Sequence, residues 1–391
     1  MRRVTMDGRL FLGGGTGVQT YGLELLFALQ KLGVEVSLSV AARDEAKVRA
    51  LLTPALAAAE PPVPVYWSRV SNALLYSNPA LAAWRRWPRA LPPPRWLPPE
   101  VELYHALLWP LPLAPHVPSV LTVHDLLALQ APELSPGRDC ELMHRAIVAL
   151  APRFDHIITD SDATRQALLA RSRVREEQVT TIYPGVSQRF STPVPAARRA
   201  EVAARHGLER PYLVALATVE PRKNLARVID AYDTFCGQQG NGFDLVLIGP
   251  RGAAHAELDE RLARARPGRV ASLGYLPSDD LPPLLQGAAG LLFPSLLEGF
   301  GLPALEAMAA GCPVITANTT SLPEVAGDAA LLVDPTDTAA IASAITRVLT
   351  EPGLANELRA RGRARAAEFA WERTAQATLA VYEQVAARAR G

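Results

Sequence analysis

At 391 residues, 49% of them hydrophobic and 20% charged, the chain is too long for one ordinary core and too apolar to be a disordered segment. A formal net charge of +1 argues against a broad nucleic-acid surface, and the three cysteines (Cys140, Cys236 and Cys312) are too scattered for a disulfide framework or a thiolate metal site. No apolar run reaches the about 18 residues that span a bilayer, and Met1-Arg2-Arg3 opens no hydrophobic signal segment, so the expectation at this level is a cytoplasmic protein of two domains.

Along the chain, short apolar runs alternate with helical periodicity, the pattern of a parallel sheet covered on both faces. The first landmark is Gly13-Gly14-Gly15-Thr16-Gly17-Val18-Gln19-Thr20-Tyr21-Gly22, which opens a helix over 21–31. Its glycines permit positive φ and close approach to a phosphate. Thr20, however, stands where a G-x-G-x-x-G fingerprint needs its last glycine, so a phosphate loop and a plain flexible loop both stay open. A strand over 34–40 follows. Next, Trp84-Arg85-Arg86-Trp87-Pro88-Arg89 and Pro92-Pro93-Pro94-Arg95-Trp96 interleave cations with indoles. That composition suits an anionic membrane surface, a glycan, or a proline-rich surface loop.

Leu103-Tyr104-His105 is a strand-like run, and 119–123 is a strand that continues into His124-Asp125-Leu126. A polar pair thus sits at the end of an apolar strand, although a lone histidine there is more often structural. The strand over 156–159 leads into Asp160-Ser161-Asp162, where Ser161 reads first as the N-cap of a helix over 165–171. Residues 182–186 and 191–195 are turn-rich and aperiodic, which divides the chain into domains 1–190 and 191–371.

The second half repeats the alternation, with strands over 212–216, 243–249, 270–273, 290–293 and 314–316. The first of these runs into Ala217-Thr218-Val219-Glu220-Pro221-Arg222-Lys223-Asn224-Leu225. Adjacent cations between a strand end and a helix are where an open parallel sheet gathers its ligand groups. After the strand over 290–293 comes Ser295-Leu296-Leu297-Glu298-Gly299-Phe300-Gly301-Leu302-Pro303-Ala304-Leu305-Glu306. Here a glycine turn hands over to a helix that carries Pro303 in its first turn, where a missing N–H costs nothing. The free amides and dipole of such a helix start favour an anion, while Glu298 and Glu306 suit sugar hydroxyls. Trp371-Glu372 precedes a final segment in which Ala375, Leu379, Tyr382 and Val385 recur at helical spacing.

Three of these motifs, Thr122-Val123-His124-Asp125-Leu126, Glu220-Pro221-Arg222-Lys223-Asn224 and the Glu298…Glu306 stretch, resemble the retaining nucleotide-sugar glycosyltransferases of glycosyltransferase family 4, whose signature is E-x7-E. The resemblance covers most of the chain. It implies an α/β protein of the GT-B fold: two Rossmann-like domains with parallel sheets facing across a cleft, and a last helix, 372–391, packed back on the first. It assigns the diphosphate to Arg222 and Lys223, the transferred sugar to Glu298, sugar and phosphate to the amides of Gly299, Phe300, Gly301 and Leu302, and the ribose to Glu306. His124 meets the donor sugar near the reacting carbon, which makes His124, Glu298, Lys223 and Arg222 the catalytic set. Gly17 matches a diphosphate-binding turn, though Gln19 and Thr20 depart from it, and Ala217 stands where the family often has glycine. His105 and Ser161 are candidate acceptor contacts.

The activity implied is transfer of a hexose, mannose from GDP-mannose first and glucose from UDP-glucose second, onto a glycan or lipid-linked saccharide for a surface polysaccharide. The nucleotide sugar is a substrate, and no cofactor, metal or nucleic acid enters. Residues 84–96 would supply any peripheral contact with an anionic inner membrane face. A nucleotide-sugar epimerase of the same fold and a non-catalytic nucleotide-sugar-binding protein are the alternatives.

Overall fold

A computed structural model describes residues 3–8, 17–41, 45–57, 59–68, 101–108, 117–135, 137–240, 242–250, 256–264 and 270–390. Gly13 to Thr16 of the glycine-rich turn and the whole Trp84 to Trp96 loop lie outside the described residues. The chain divides into two compact units. The first takes the described residues through Gln130, those of 137–185 and those from Ala370 on; the second takes 131–136 and 186–369. The passage from one to the other falls between Gly185 and Val186, and the return between Phe369 and Ala370. Gly185 lies with the first unit because a Cβ on it would come 2.3 Å from the backbone nitrogen of Trp371, an approach only glycine permits.

The first unit holds seven strands: β1 (Arg3–Asp7), β2 (Glu35–Ala41), β3 (Val65–Ser68), β4 (Tyr104–Ala106), β5 (Ser119–Val123), β6 (His156–Thr159) and β7 (Val179–Thr181). They form one wholly parallel sheet in the order β3-β2-β1-β4-β5-β6-β7. The second unit holds β8 (Tyr212–Leu216), β9 (Asp244–Ile248), β10 (Val270–Gly274), β11 (Gly290–Phe293), β12 (Val314–Ala317) and β13 (Leu331–Val333), again all parallel, in the order β10-β9-β8-β11-β12-β13. The two orders match strand for strand except for the extra edge strand β7.

Parallel strands covered by helices on both faces need apolar side chains in both directions, and these have them. Along β5, Val120 enters a cluster with Leu25, Leu26 and Leu29 of the helix Gly17–Lys31, while Leu121 and Val123 enter another with Ile147 and Leu150 of the helix Arg138–Leu150. Along β8, Leu213 and Ala215 pack with Val228 and Tyr232 of the helix Leu225–Gln239, whereas Val214 packs with Leu305 and Met308 of the helix Leu302–Ala310. Strand alternation therefore feeds two cores per sheet. The last helix, Trp371–Arg390, sets Trp371, Ala375, Tyr382 and Val385 in the cluster that holds Tyr21, Leu25 and Leu29. Among the described residues no helix is long and apolar enough to cross a membrane.

In each sheet the strand order reverses direction once, between β1 and β4 and between β8 and β11. At such a point the loops leaving neighbouring strands diverge and open a crevice above the carboxyl ends, where doubly wound sheets place their ligands. In the second unit both loops at this point carry the motifs singled out in the sequence.

Candidate active site

The loop after β8 turns through the short 3-10 segment Pro221–Lys223 and reaches Asn224 in the left-handed region, at φ 60°. Asn224 tolerates that region, and its side-chain amide donates to the carbonyls of Pro294, at 3.0 Å, and Pro335, at 2.7 Å. The β8 loop is thereby tied to the end of β11. A second tie runs from the Leu296 amide to the Arg222 carbonyl, at 2.8 Å.

Between these ties three charged side chains meet. Lys223 Nζ donates to Glu298 Oε1 at 2.6 Å, and Arg222 Nη1 donates to Glu298 Oε2 at 2.9 Å. Arg222 Nε also reaches Glu220 Oε2 at 2.8 Å, and the Lys223 ammonium stands 5.1 Å from the centre of the Phe293 ring. Glu298 is only 7% exposed and Lys223 only 8%, so the pair is largely screened from water. Burial pushes the Glu298 carboxyl upward, but Lys223 and Arg222 outweigh it and hold the carboxyl below its usual range. For Lys223, burial and the neighbouring Arg222 outweigh Glu298, and its ammonium sits below the ordinary lysine value.

The Glu298 to Phe300 backbone is held from the β12 side. The Ser321 hydroxyl lies 3.1 Å from the Glu298 carbonyl and 2.9 Å from that of Phe300. Thr320 Oγ1 accepts from the Glu298 amide at 3.4 Å, with its own backbone at φ 58°, a conformation rarely taken by a β-branched residue. Gly301 then caps the helix Leu302–Ala310 at φ 106°; a Cβ there would come 2.6 Å from Leu322 Cδ2, so the turn requires glycine. The first-turn amides of that helix have no intrahelical acceptor, and Pro303 has none to satisfy. Glu306 lies half-buried one turn into the helix.

The histidine motif belongs to the first unit. His124 follows β5 directly, and Asp160 follows β6 directly. Because Val123 pairs with Thr159 in register, the next residues on each strand fall side by side. His124 Nδ1 lies 2.5 Å from Asp160 Oδ2, and Nε2 lies 2.7 Å from the Leu107 carbonyl. The Tyr21 ring meets the imidazole edge-on at 4.9 Å between centres. Burial alone would push His124 down, but Asp160, the Leu107 carbonyl and Asp125 together raise it above its ordinary value. Gly17 is the exposed first residue of the helix Gly17–Lys31.

Two acceptor candidates are corrected by their surroundings. His105 is fully buried: Nδ1 lies 2.6 Å from the Tyr382 hydroxyl and Nε2 2.7 Å from Thr122 Oγ1. It clasps the last helix to the sheet and presents no atom to a ligand. Burial, and then the charge of His124, lower its pKa to about 3, so it stays neutral. Ser161 is likewise fully buried and caps the helix Asp162–Arg171, accepting from the Thr164 amide at 3.1 Å. Asp160, Thr320 and Ser321 are the site residues that sequence reasoning passed over, while Glu220 and Asn224 stand in the recognised motif with no role of their own. Of the first three only Asp160 had a readable signal: a polar residue immediately after each of two apolar strands. Among the described residues no group of three or more His, Cys, Asp or Glu side chains is placed to hold a metal ion.

Known proteins resemble this chain along its length. The family described as Glycosyltransferase Family 4 matches residues 15–189, and that described as Glycosyl transferases group 1 matches residues 199–365. The O-antigen chain mannosyltransferase B of Escherichia coli is 33% identical over 266 residues, covering 68% of this chain and 70% of that protein. The serotype-specific mannosyltransferase WbdA of Escherichia coli is 30% identical over 67% of this chain, which spans only 33% of that longer relative. A D-inositol 3-phosphate glycosyltransferase of Salinispora arenicola is 31% identical over 69% of this chain and 64% of its own length. Among solved structures, Anabaena Alr3699/HepE in complex with UDP-glucose has a TM-score of 0.73 at 19% identity, covering 98% of this chain and all of that one. Sucrose-phosphate synthase from Thermosynechococcus elongatus gives 0.74 at 21% identity, over 99% of this chain and all of that one. At such identities the likeness is one of fold alone.

Proposed function

The chain belongs to glycosyltransferase family 4 and is a glycosyltransferase built from the two Rossmann-like domains of the GT-B fold, and on that premise we propose that it moves mannose from GDP-mannose, with retention of anomeric configuration, onto a growing glycan or lipid-linked saccharide. The observation that carries this reading is the Arg222–Lys223–Glu298 cluster at the reversal point of the second sheet. A leaving nucleoside diphosphate needs cations fixed before charge develops on it, and here both are fixed. In this reading Arg222 and Lys223 take the diphosphate, Glu306 takes the ribose, and Glu298 faces the transferred sugar. The family resemblance assigns His124 to the donor sugar and Gly17 to the diphosphate. The departing diphosphate accepts the proton of the acceptor hydroxyl on the same face, so no side chain need serve as base and no metal is invoked.

Mannose leads because the relatives at 30–33% identity include proteins named as mannosyltransferases. A thermal-shift panel of GDP, UDP, ADP and their sugars tests it. Ligand at about a hundred times its Kd adds about 2.7 kcal/mol to the folded state, which should raise the melting temperature by several degrees. The expected result is a shift with GDP and GDP-mannose and little with the others. A larger shift with UDP and UDP-glucose would move the proposal to that donor, and no shift with any nucleotide would remove it.

A further inference from the structure

We infer that Asp160 is a positioning residue that fixes His124 as an imidazolium, so that this histidine meets its substrate through an Nε2–H donor on a cation and never as a base. The inference rests on the donor-sugar role proposed for His124. It begins with what faces the ring. Asp160 Oδ2 and the Leu107 carbonyl are both acceptors, at 2.5 and 2.7 Å from the two ring nitrogens. A neutral imidazole has one N–H and one lone pair, so either tautomer would turn a lone pair toward an oxygen. Only the doubly protonated ring donates to both.

The charge balance points the same way. Asp160 is 5% exposed, and its other oxygen, Oδ1, makes no hydrogen bond among the described residues. A buried carboxylate without a counter-charge is costly, and the group that supplies one here is His124. The other titratable neighbours do not replace it. Asp125 is a second anion and favours the same cation, Tyr21, its ring perpendicular to the imidazole at 4.9 Å, has its hydroxyl kept neutral by burial, and His105 on β4 is neutral. The pair carries no net charge, so it does not oppose positive charge developing on the sugar. Its Nε2–H can exchange the Leu107 carbonyl for a sugar hydroxyl, since both are neutral acceptors. A donor on a cation makes the stronger hydrogen bond. Asp160 holds Nδ1 throughout and sets the plane of the ring.

The sign of the pH dependence follows. A raised histidine pKa means that the cation persists below it and is lost as pH climbs through it, so activity should fall on the alkaline side and hold on the mildly acidic side. The test is nitrogen NMR of histidine-labelled free protein, with the His124 signals assigned by their loss in His124→Gln, alongside kcat/KM against pH. The wild type should show both His124 nitrogens protonated at about pH 7, and Asp160→Glu should keep that state. Asp160→Asn removes the counter-charge at nearly constant volume. Its His124 should titrate at or below the ordinary 6.5, and its kcat/KM should drop more than about tenfold at about pH 8 while recovering much of the loss at about pH 6. A merely structural role for Asp160 would lower the whole profile evenly. A neutral His124 ring in the wild type at about pH 7, or an Asp160→Asn profile parallel to the wild type, would overturn the inference. If no donor supports transfer, the proposed function fails, yet the NMR state of His124 in the free protein still decides this point.

Discussion

Replacing Lys223 by alanine should slow sugar transfer by about 30- to 1000-fold, the usual consequence of losing about 2–4 kcal/mol of stabilisation aimed at a developing charge. The ammonium is anchored before any substrate arrives, by Glu298 at 2.6 Å and by the Phe293 ring. It therefore needs no reorganisation when the glycosidic bond breaks, and its contribution should fall on kcat more than on KM. Folding should suffer less than turnover, because Arg222 stays on Glu298 at 2.9 Å and the buried carboxylate keeps one cation. Initial rates at saturating donor, with a melting curve on the same sample, separate the two effects. A variant that keeps at least half of wild-type turnover would remove Lys223 from the mechanism.

The two glutamates of the E-x7-E stretch should part company when each becomes glutamine. Glu306 is assigned to the ribose, which is bound alike before and during bond breaking. Its loss should weaken GDP-mannose and GDP together by about 10- to 100-fold, the range expected for hydrogen bonds to a charged group. Glu298 differs because it already occupies both cations. An arriving diphosphate meets Arg222 and Lys223 while both still hold Glu298, so the carboxylate competes with it for their charge. Glu298→Gln removes that competition, so affinity for GDP should hold or rise while turnover collapses. Calorimetry with GDP, paired with rates on the full donor, reads both quantities. If Glu298→Gln weakens GDP as much as Glu306→Gln does, the assignment of the two residues is wrong even though the family is right.

What the sequence shows of this protein and what it hides divide along physical lines. Strands β8 and β11 are legible because burial on both faces makes each a nearly unbroken apolar run, and β5 and β6 because an apolar pair stands inside each. Strands β7 and β13 pass unnoticed: each is three residues long and lies at an outer edge of its sheet, too short to show periodicity whether its residues are mostly polar, as in β7, or all apolar, as in β13. The cations at 222–223 and the glutamate at 298 can be recognised as ligand groups from their places after β8 and β11. That they bind one another depends on the β8–β11 pairing, which no local pattern reveals. His105 looks like a site residue because it ends a strand, but the hydroxyl that covers it comes from Tyr382, 277 positions later. Asp160 hides for the opposite reason, being next to an N-cap serine whose local role accounts for the segment by itself.

The return of the chain to its first unit has a consequence for synthesis. Apart from residues 131–136, everything the second unit needs lies between 186 and 369, whereas the first unit keeps Tyr21, Leu25 and Leu29 waiting for Trp371, Ala375 and Tyr382. On a ribosome adding about 5–20 residues per second, that wait lasts on the order of ten seconds or more, with an apolar face uncovered and His105 without its tyrosine. The unit begun first is thus finished last. Chains stopped after residue 369 should carry a protease-resistant second unit and a first unit that binds a hydrophobic dye, and adding the last twenty-two residues as a separate peptide should quench the dye. If the shortened chains bind no dye, the first unit closes by some other means, and this order of assembly does not hold.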